Sequence, residues 1–371
     1  MDRPLPFIRI LMSDTGGGHR ACAEALSVAI GERARVEFLD VFGRSAPLGR
    51  AADLYDWFGE HRKLWGTLWR LLDGPLRARL LCDPGWWTAP RYYRQLVGAG
   101  EPDMVVVVHP LVTAAARRAL EGRRSFTGLV TVVTDPVTPH ASWFEPDVDE
   151  VFVSTDSARD RALACGVPSH RVELAGHPIH PRVWDLAARR DELRAGYGWR
   201  EPVVLLTGGG GGVGIRESVA AARGQGARVV AICGRDQALK RRLARVEGLE
   251  VLGFVDDLPE RMCAADLVLS KAGPSTLAEC QAVGTPVLVT AHMPGQEDGN
   301  LRWVRDADFG EVAERADRLR ATVARWLRDE ARRRRLRERA RAVSPESADA
   351  TTKIADRIVA RACAMRTRGG A

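Results

Sequence analysis

Residues 270–300, SKAGPSTLAECQAVGTPVLVTAHMPGQEDGN, hold the densest set of side chains able to do chemistry. Apolar runs at 266–269 and 286–290 predict two strands, with a helix between them and a polar loop after the second. The turn Ala272-Gly273-Pro274-Ser275-Thr276 opens the helix, with Ser275 as the expected N-cap. A helix start beside strand ends offers N–H donors and a positive dipole end to an anion such as a phosphate. Glu279, one turn in, has a carboxylate able to accept both hydroxyls of a ribose. Gln296, Glu297 and Asn300 follow at the carboxyl end of the next strand, where open α/β sheets bind ligands. Sugar-binding groups beside a phosphate site point to a nucleotide-sugar.

Two glycine loops add to this. After an expected strand at 202–207, Gly208 to Gly212 form an unbroken glycine run before Val213 and Gly214. With no Cβ at Gly209, Gly210 or Gly211, backbone amides can approach a diphosphate closely. Near the N-terminus a strand at 8–13 leads through Thr15-Gly16-Gly17-Gly18 to a helix that begins at His19. The helix dipole disfavours an imidazolium there, so His19 is expected as a neutral imidazole able to accept a proton. The same segment also fits a dinucleotide fingerprint, with Gly16, Gly18 and Ala21 followed by Asp40 at the end of a second strand. That fingerprint leaves open an NAD(P)-dependent oxidoreductase, which would leave 270–300 without a role.

Taken in order, MSDTGGGHRA, TDPVTPHASWF, GHPI, TGGGGGVG, GPSTLAE and PGQEDGN resemble the motifs of GT-B glycosyltransferases. The likeness is nearest to monogalactosyl- and monoglucosyl-diacylglycerol synthases and to the lipid-II-forming N-acetylglucosaminyltransferase, and it spans residues 10 to about 304. It implies two Rossmann-like domains facing a cleft, with a C-terminal helix crossing back to the first domain. It implies an inverting transfer of a hexose from a UDP-sugar to a lipid hydroxyl, with no metal or other cofactor. His19 is then the base, with Asp135 as a second catalytic residue. Gly17, Gly18, His109, His140 and Trp143 line the acceptor side. The donor side is Gly209, Gly210, Gly211, Phe254, Val255, Gly273, Ser275, Thr276, Glu279, Gln296, Glu297 and Asn300, with the base of the nucleotide held by backbone at 253–257. The family places an arginine after G-x-P-[IV], where this chain has His180, so Arg182 is the candidate substitute. A natural-product or polyprenyl-lipid transferase and a UDP-sugar epimerase are the alternatives within this layout.

The elements that must position these residues alternate strand and helix. Further strands are expected at 104–108, 129–134, 150–154, 171–174, 228–233 and 249–252. The expected organisation is an acceptor domain at 1–182, a linker at 183–200, a nucleotide-sugar domain at 201–345, and a return helix with tail at 346–371. Asp147-Val148-Asp149 has the form of a metal-binding DxD but precedes a strand, so it is expected to be a turn.

Composition sets the outer bounds. The chain has 371 residues, enough for two domains, and 45% of them are hydrophobic. No apolar run is long enough to span a membrane, and the N-terminus lacks a signal-peptide layout. A cytoplasmic protein is expected, peripheral to the inner face of the cell membrane at most. Seven cysteines without CxxC pairs indicate neither a zinc site nor a disulfide framework. The net charge of +7 is concentrated at 315–341, where twelve arginines face four acids. Residues 50–94 carry five of the ten tryptophans, Trp57, Trp65, Trp69, Trp86 and Trp87, among eight basic residues. Both stretches suit an anionic membrane surface; the alternatives are a solvated helix face at 315–341 and an aromatic core with solvated arginines at 50–94. Nucleic acid is not expected, because no stacking aromatics interleave the arginines of 315–341.

Overall fold

The computed structural model describes residues 5–13, 17–43, 57–59, 61–78, 86–87, 89–121, 127–209, 211–343 and 349–369. Gly16, Arg50, Tyr55, Arg79, Gly210 and the Ser344-Pro345 pair lie outside the described residues. The chain divides into two compact units, Met1–His180 with Asp349–Ala371, and Pro181–Ala348.

The first unit runs β1 (Phe7–Met12), α1 (Gly18–Ile30), β2 (Arg35–Asp40), α2 (Arg62–Leu72), α3 (Pro90–Gly98), β3 (Met104–Val107), α4 (Thr113–Leu120), β4 (Gly128–Val132), β5 (Glu150–Val153), α5 (Asp156–Ala164) and β6 (Val172–Leu174). Its strands form one parallel sheet in the order β2-β1-β3-β4-β5-β6. β1, β3, β4 and β5 are buried along their whole length. Continuous apolar runs such as FIRILM and MVVV suit strands covered on both faces. Because β2 and β3 flank β1 on opposite sides, the carboxyl ends of β1 and β3 mark the switch point of this sheet. Asp149, from the expected DxD, accepts the Leu129 amide at 2.7 Å and so ties the turn before β5 to β4.

The second unit runs α6 (Val183–Leu186), α7 (Arg190–Gly196), β7 (Val203–Thr207), α8 (Ile215–Ala222), β8 (Arg228–Ile232), α9 (Gln237–Leu243), β9 (Leu249–Leu252), α10 (Leu258–Ala264), β10 (Leu267–Lys271), α11 (Pro274–Val283), β11 (Val287–Ala291), α12 (Asp298–Asp306), β12 (Gly310–Val312), α13 (Ala316–Arg328) and α14 (Glu330–Val343). Its parallel sheet has the order β12-β11-β10-β7-β8-β9, so the switch point falls between β7 and β10. Read from β9 inward, this is the doubly wound dinucleotide-fold order.

Residues 183–200, expected as a linker, are instead part of the second unit. Arg190 and Arg194 on α7 reach across to Asp266 at 2.8 and 2.9 Å, and both donate to the Ala264 carbonyl. Asp266 also accepts the Val203 amide, so one carboxylate fixes α7 and the start of β7 together. The arginines of 315–341 are likewise partly inward. Arg333 caps α13 at the Trp326 and Leu327 carbonyls, Arg337 donates to the Gly284 carbonyl just past α11, and Arg341 reaches the Ala187 carbonyl. Cations at helix carboxyl ends are favoured by the dipole. Arg318, Arg328, Arg334 and Arg335 remain exposed. Of the tryptophan pair at 86–87, Trp86 is buried and Trp87 is 71% exposed, as two adjacent side chains pointing apart require.

The last helix, Ala350–Gly369, completes the first unit. Ile354, Ala355, Ile358 and Ala362 join Cys22, Ala23, Leu26 and Ile30 of α1 in one core cluster. Thr351 bonds both to the Ile179 amide and to its carbonyl. Buried Glu150 on β5 binds Arg357 and Arg361 of the helix. Removing the carboxylate leaves two guanidinium groups unpartnered at that seam. Glu150→Ala is expected to cost roughly 2 kcal/mol in urea unfolding, discounted because both arginines keep some solvent. Hydrogen exchange should show the loss first in residues 350–369.

Candidate functional site

In the second unit, three loops leave the carboxyl ends of β7, β10 and β11, adjacent strands around the switch point. The glycine loop after β7 is fixed by sterics. A Cβ on Gly208 would lie 2.4 Å from the Gly212 carbonyl carbon and the Val213 amide, and Gly209, Gly212 and Gly214 have φ of 68°, 64° and 79°. The loop uses several of its own amides: those of Gly212, Val213 and Ile215 donate to the carbonyls of Gly209, Gly208 and Gly212.

The helix start after β10 differs from the expectation. Gly273, not Ser275, is the N-cap, and Pro274 takes the first helical position. Proline at that position lacks an N–H that would have had no helical partner anyway, and its ring presets φ. Ser275 and Thr276 therefore fall inside the first turn, both half-buried. Glu279, also half-buried, follows one turn on. Burial pushes its carboxyl up from 4.5 to about 7, against the pull of Arg182 and with a further push from Glu260. Arg182 is engaged on this side: it donates to the Asp256 carbonyl at 3.0 Å and lies 3.6 Å from Glu260. The next loop is pinned as well, because Asp257 accepts from Tyr197 and Arg261, each at 2.8 Å. It leaves Phe254 62% exposed with the Arg235 guanidinium 5.9 Å from its ring centroid, and Val255 half-buried.

The loop after β11 carries the residues expected at a sugar. Gln296 is half-buried, while Glu297 and Asn300 are each 2% exposed. Glu297 is held on both oxygens, by Lys271 from the end of β10 and by the Met293 amide at 2.8 Å. Lys271 was not picked out from the sequence; only its place at a strand end marks it. Asn300 donates to the Ala272 carbonyl at 2.8 Å, and its Oδ1 has no hydrogen-bond partner among the described residues. His292 braces the loop between Glu314 at 2.6 Å and Asp298 at 3.2 Å. Burial lowers this imidazole, but Glu314, Asp298 and Glu297 outweigh it and raise it above its ordinary value.

In the first unit, the carboxyl ends of β1, β3 and β4 gather a cluster of imidazoles. Gly17, with φ 83°, is the N-cap of α1, Gly18 is its first residue, and His19 follows in the first turn. The His19 ring lies 4.5 Å from that of His109 at 62°, and 6.1 Å from Trp143. Its Nδ1 is 3.1 Å from Thr134 Oγ1, a contact between residues 115 apart in sequence. His109 is buried and accepts the Leu111 amide on Nδ1 at 3.3 Å. Burial, with His19 beside it, pulls His109 well below the usual imidazole range, so it stays neutral.

Asp135 is 4% exposed and accepts the Trp143 indole N–H at 2.7 Å. Trp143 itself is fully buried, with its ring tilted toward that of His19. His140 is 2% exposed, its ring 4.7 Å from that of Trp69 of α2 and tilted 59° to it, with Nδ1 accepting the Ser142 amide. Its Nε2 has no hydrogen-bond partner among the described residues. Burial lowers it, Asp73 raises it and Arg161 lowers it further, with the net shift downward. Asp73 also accepts the Ala141 amide at 3.0 Å and binds Arg161, which fastens the end of α2 to this turn. Among the described residues, no three His, Cys, Asp or Glu side chains group as a metal site.

Two family models match the chain: monogalactosyldiacylglycerol (MGDG) synthase over residues 19–179, and the glycosyltransferase family 28 C-terminal domain over 203–358. The chain is 31% identical over 351 residues to the probable monogalactosyldiacylglycerol synthase of Nicotiana tabacum, covering 87% of this chain and 65% of that one. It is 33% identical to probable monogalactosyldiacylglycerol synthase 2 of Oryza sativa subsp. indica, covering 86% of this chain and 73% of the relative. It thus spans a little under two thirds of the tobacco protein's length. Among solved structures, the calicheamicin glycosyltransferase CalG4 matches with TM-score 0.60 at 14% identity, over 97% of this chain and 98% of that chain. Anabaena HepE in complex with UDP-glucose matches with TM-score 0.54 at 13% identity, over 95% and 99%. At such identities the likeness establishes the fold, which is GT-B.

The raised Glu279 carboxyl makes stability depend on pH. Its contribution is complete below about 4.5 and is lost as pH climbs through about 7. Glu279→Gln should therefore melt close to the native chain at pH 4 and above it at pH 8, read by scanning fluorimetry across pH. Equal melting curves at pH 8 would show that the carboxylate is already well solvated.

Proposed function

Because the chain belongs to the monogalactosyldiacylglycerol synthase family, we propose that it moves a hexose from a UDP-sugar to a hydroxyl of a diacylglycerol-like lipid, inverting the anomeric carbon. The observation that carries this reading is the cluster at the first unit's switch point, where His19 meets His109 and Thr134. It is supported by the loops of the second unit, whose own switch point collects a glycine loop, a helix start and Glu279.

In this reading the diphosphate lies on the 208–214 loop and the start of α11, with Glu279 on the ribose and the base at 253–257. Gln296 contacts the sugar hydroxyls while Glu297, tied to Lys271, holds the loop's shape. His19 takes the acceptor's proton as its oxygen bonds to the anomeric carbon. The bond to UDP breaks with its electron pair on the β-phosphate, and the α11 dipole takes up that charge rather than a metal. Asp135 acts through the Trp143 indole that flanks His19.

The lipid reading gains support from α2. Leu64 and Leu71, two turns apart, are 44% and 60% exposed, beside exposed Lys63 and Arg70. Trp57, Leu76 and Trp87 are 43%, 78% and 71% exposed. Apolar anchors rimmed by cations suit an anionic membrane surface, as do the exposed arginines of 315–341. No helix among the described residues is long and apolar enough to cross a membrane.

His19→Ala should lower turnover roughly a hundredfold to ten-thousandfold with UDP-sugar affinity unchanged, and Glu279→Ala should do the reverse, weakening UDP binding. Mass spectrometry of products from lipid extract with several UDP-sugars identifies the pair; near-native turnover by His19→Ala removes the base assignment. Lys63→Glu with Arg70→Glu should weaken sedimentation with phosphatidylglycerol vesicles by roughly fivefold per charge removed, and should leave phosphatidylcholine vesicles unaffected.

A further inference from the structure

We infer that Asp73 is a positioning residue for the lipid acceptor: it fastens the end of α2 to the 140–143 turn and so sets where a membrane-borne hydroxyl meets His19. The inference rests on the reading of the chain as a lipid glycosyltransferase. α2 has two opposite faces. Lys63 with Arg70, and Leu64 with Leu71, lie two turns apart on its exposed side. Trp65 and Trp69, one turn apart, lie on the other side, with ring centroids 5.4 Å apart. The Trp69 ring continues to that of His140 at 4.7 Å. The face offered to solvent and the face laid on the acceptor turn therefore belong to one helix.

Asp73 closes that helix as its C-cap. Its Oδ1 accepts the Ala141 amide at 3.0 Å and binds Arg161 of α5. The same oxygen lies 3.9 Å from His140 Nε2. One carboxylate thus joins α2 to a turn 68 residues on and to a helix 88 residues on. The Asp73 and Arg161 side chains are each 32% exposed, so their charge pair alone is a weak tie. The amide bond to Ala141 gives the tie its direction. Trp143, two residues past Ala141, tilts its ring toward His19 with centroids 6.1 Å apart. A bilayer that takes up Leu64 and Leu71 fixes the height of α2, and the Asp73 tie passes that height to Trp143. An acceptor whose chains stay in the bilayer needs this distance held, because an error of about 1 Å at the reacting atoms can cost about a hundredfold. A short-chain acceptor that diffuses in from water does not depend on it.

The test uses the full chain, UDP-galactose and UDP-glucose as donors, and two acceptors: dioleoylglycerol in phosphatidylglycerol vesicles and dibutyroylglycerol free in solution. Asp73→Ala should lower kcat on the vesicle acceptor by roughly tenfold to a hundredfold. Turnover of dibutyroylglycerol, KM for the UDP-sugar and sedimentation with vesicles should stay at native values. Asp73→Asn keeps an oxygen for the Ala141 amide and should recover part of the loss. Equal losses on both acceptors, or no loss on vesicles, overturn the inference. If Asp73→Ala does not fold, Arg161→Met should show the same split between acceptors, and its absence there overturns the inference instead. Hydrogen exchange needs no turnover to be read. Phosphatidylglycerol vesicles should slow exchange in 62–72 and 140–144 of the native chain, but in 62–72 alone of Asp73→Ala. Slowing confined to 62–72 in the native chain overturns the inference, as does no slowing at all. A native chain that shows the coupled slowing yet turns over neither acceptor removes the transferase reading and leaves the coupling standing.

Discussion

The structure depends on one property of parallel sheets: where the strand order reverses, neighbouring connections leave on opposite faces and the carboxyl ends between them stay uncovered. This chain has two such places, β1 beside β3 and β7 beside β10. Many chemistry-bearing residues lie in loops next to one of them, and others follow β4, β9 and β11. His19 and His109 share the first, and the glycine loop and α11's start share the second. The loops could vary in sequence without moving, because the strands beneath are buried along their whole length.

The two places are prepared differently. The second is held by charge. Lys271 fixes Glu297, His292 joins Glu314 to Asp298, and Arg182 joins Asp256 to Glu260. These ties are ion pairs, apart from the Arg182 bond to the Asp256 carbonyl, and they carry both signs. The first is held in good part by rings. His109, Trp143 and Thr134 meet His19, Asp135 accepts an indole N–H, and Asp73 binds Arg161 beside His140.

What sequence could show was local. β1, β3, β4, β7, β10 and β11 announce themselves as short apolar runs, and the glycine and histidine motifs lie directly at their ends. The arrangement of the ion pairs was not legible. Arg190 and Arg194 meet Asp266 more than seventy residues away, so 183–200 looked like a linker. Thr134 meets His19 across 115 residues, and nothing about a threonine beside an aspartate marks it out. At Gly273 the miss was local: Ser275 is a good N-cap by type, but proline one residue earlier starts the helix first.

The first unit is not continuous in sequence. Its core includes Ile354, Ala355, Ile358 and Ala362, which a ribosome delivers only after the whole of the second unit has been made. During synthesis the nascent first unit must wait with the seam along Cys22, Ala23, Leu26 and Ile30 open, while the second can close as soon as it emerges. A premature stop shortly before residue 349 would therefore spare the later half and cripple the earlier one, an order of damage opposite to the order of translation.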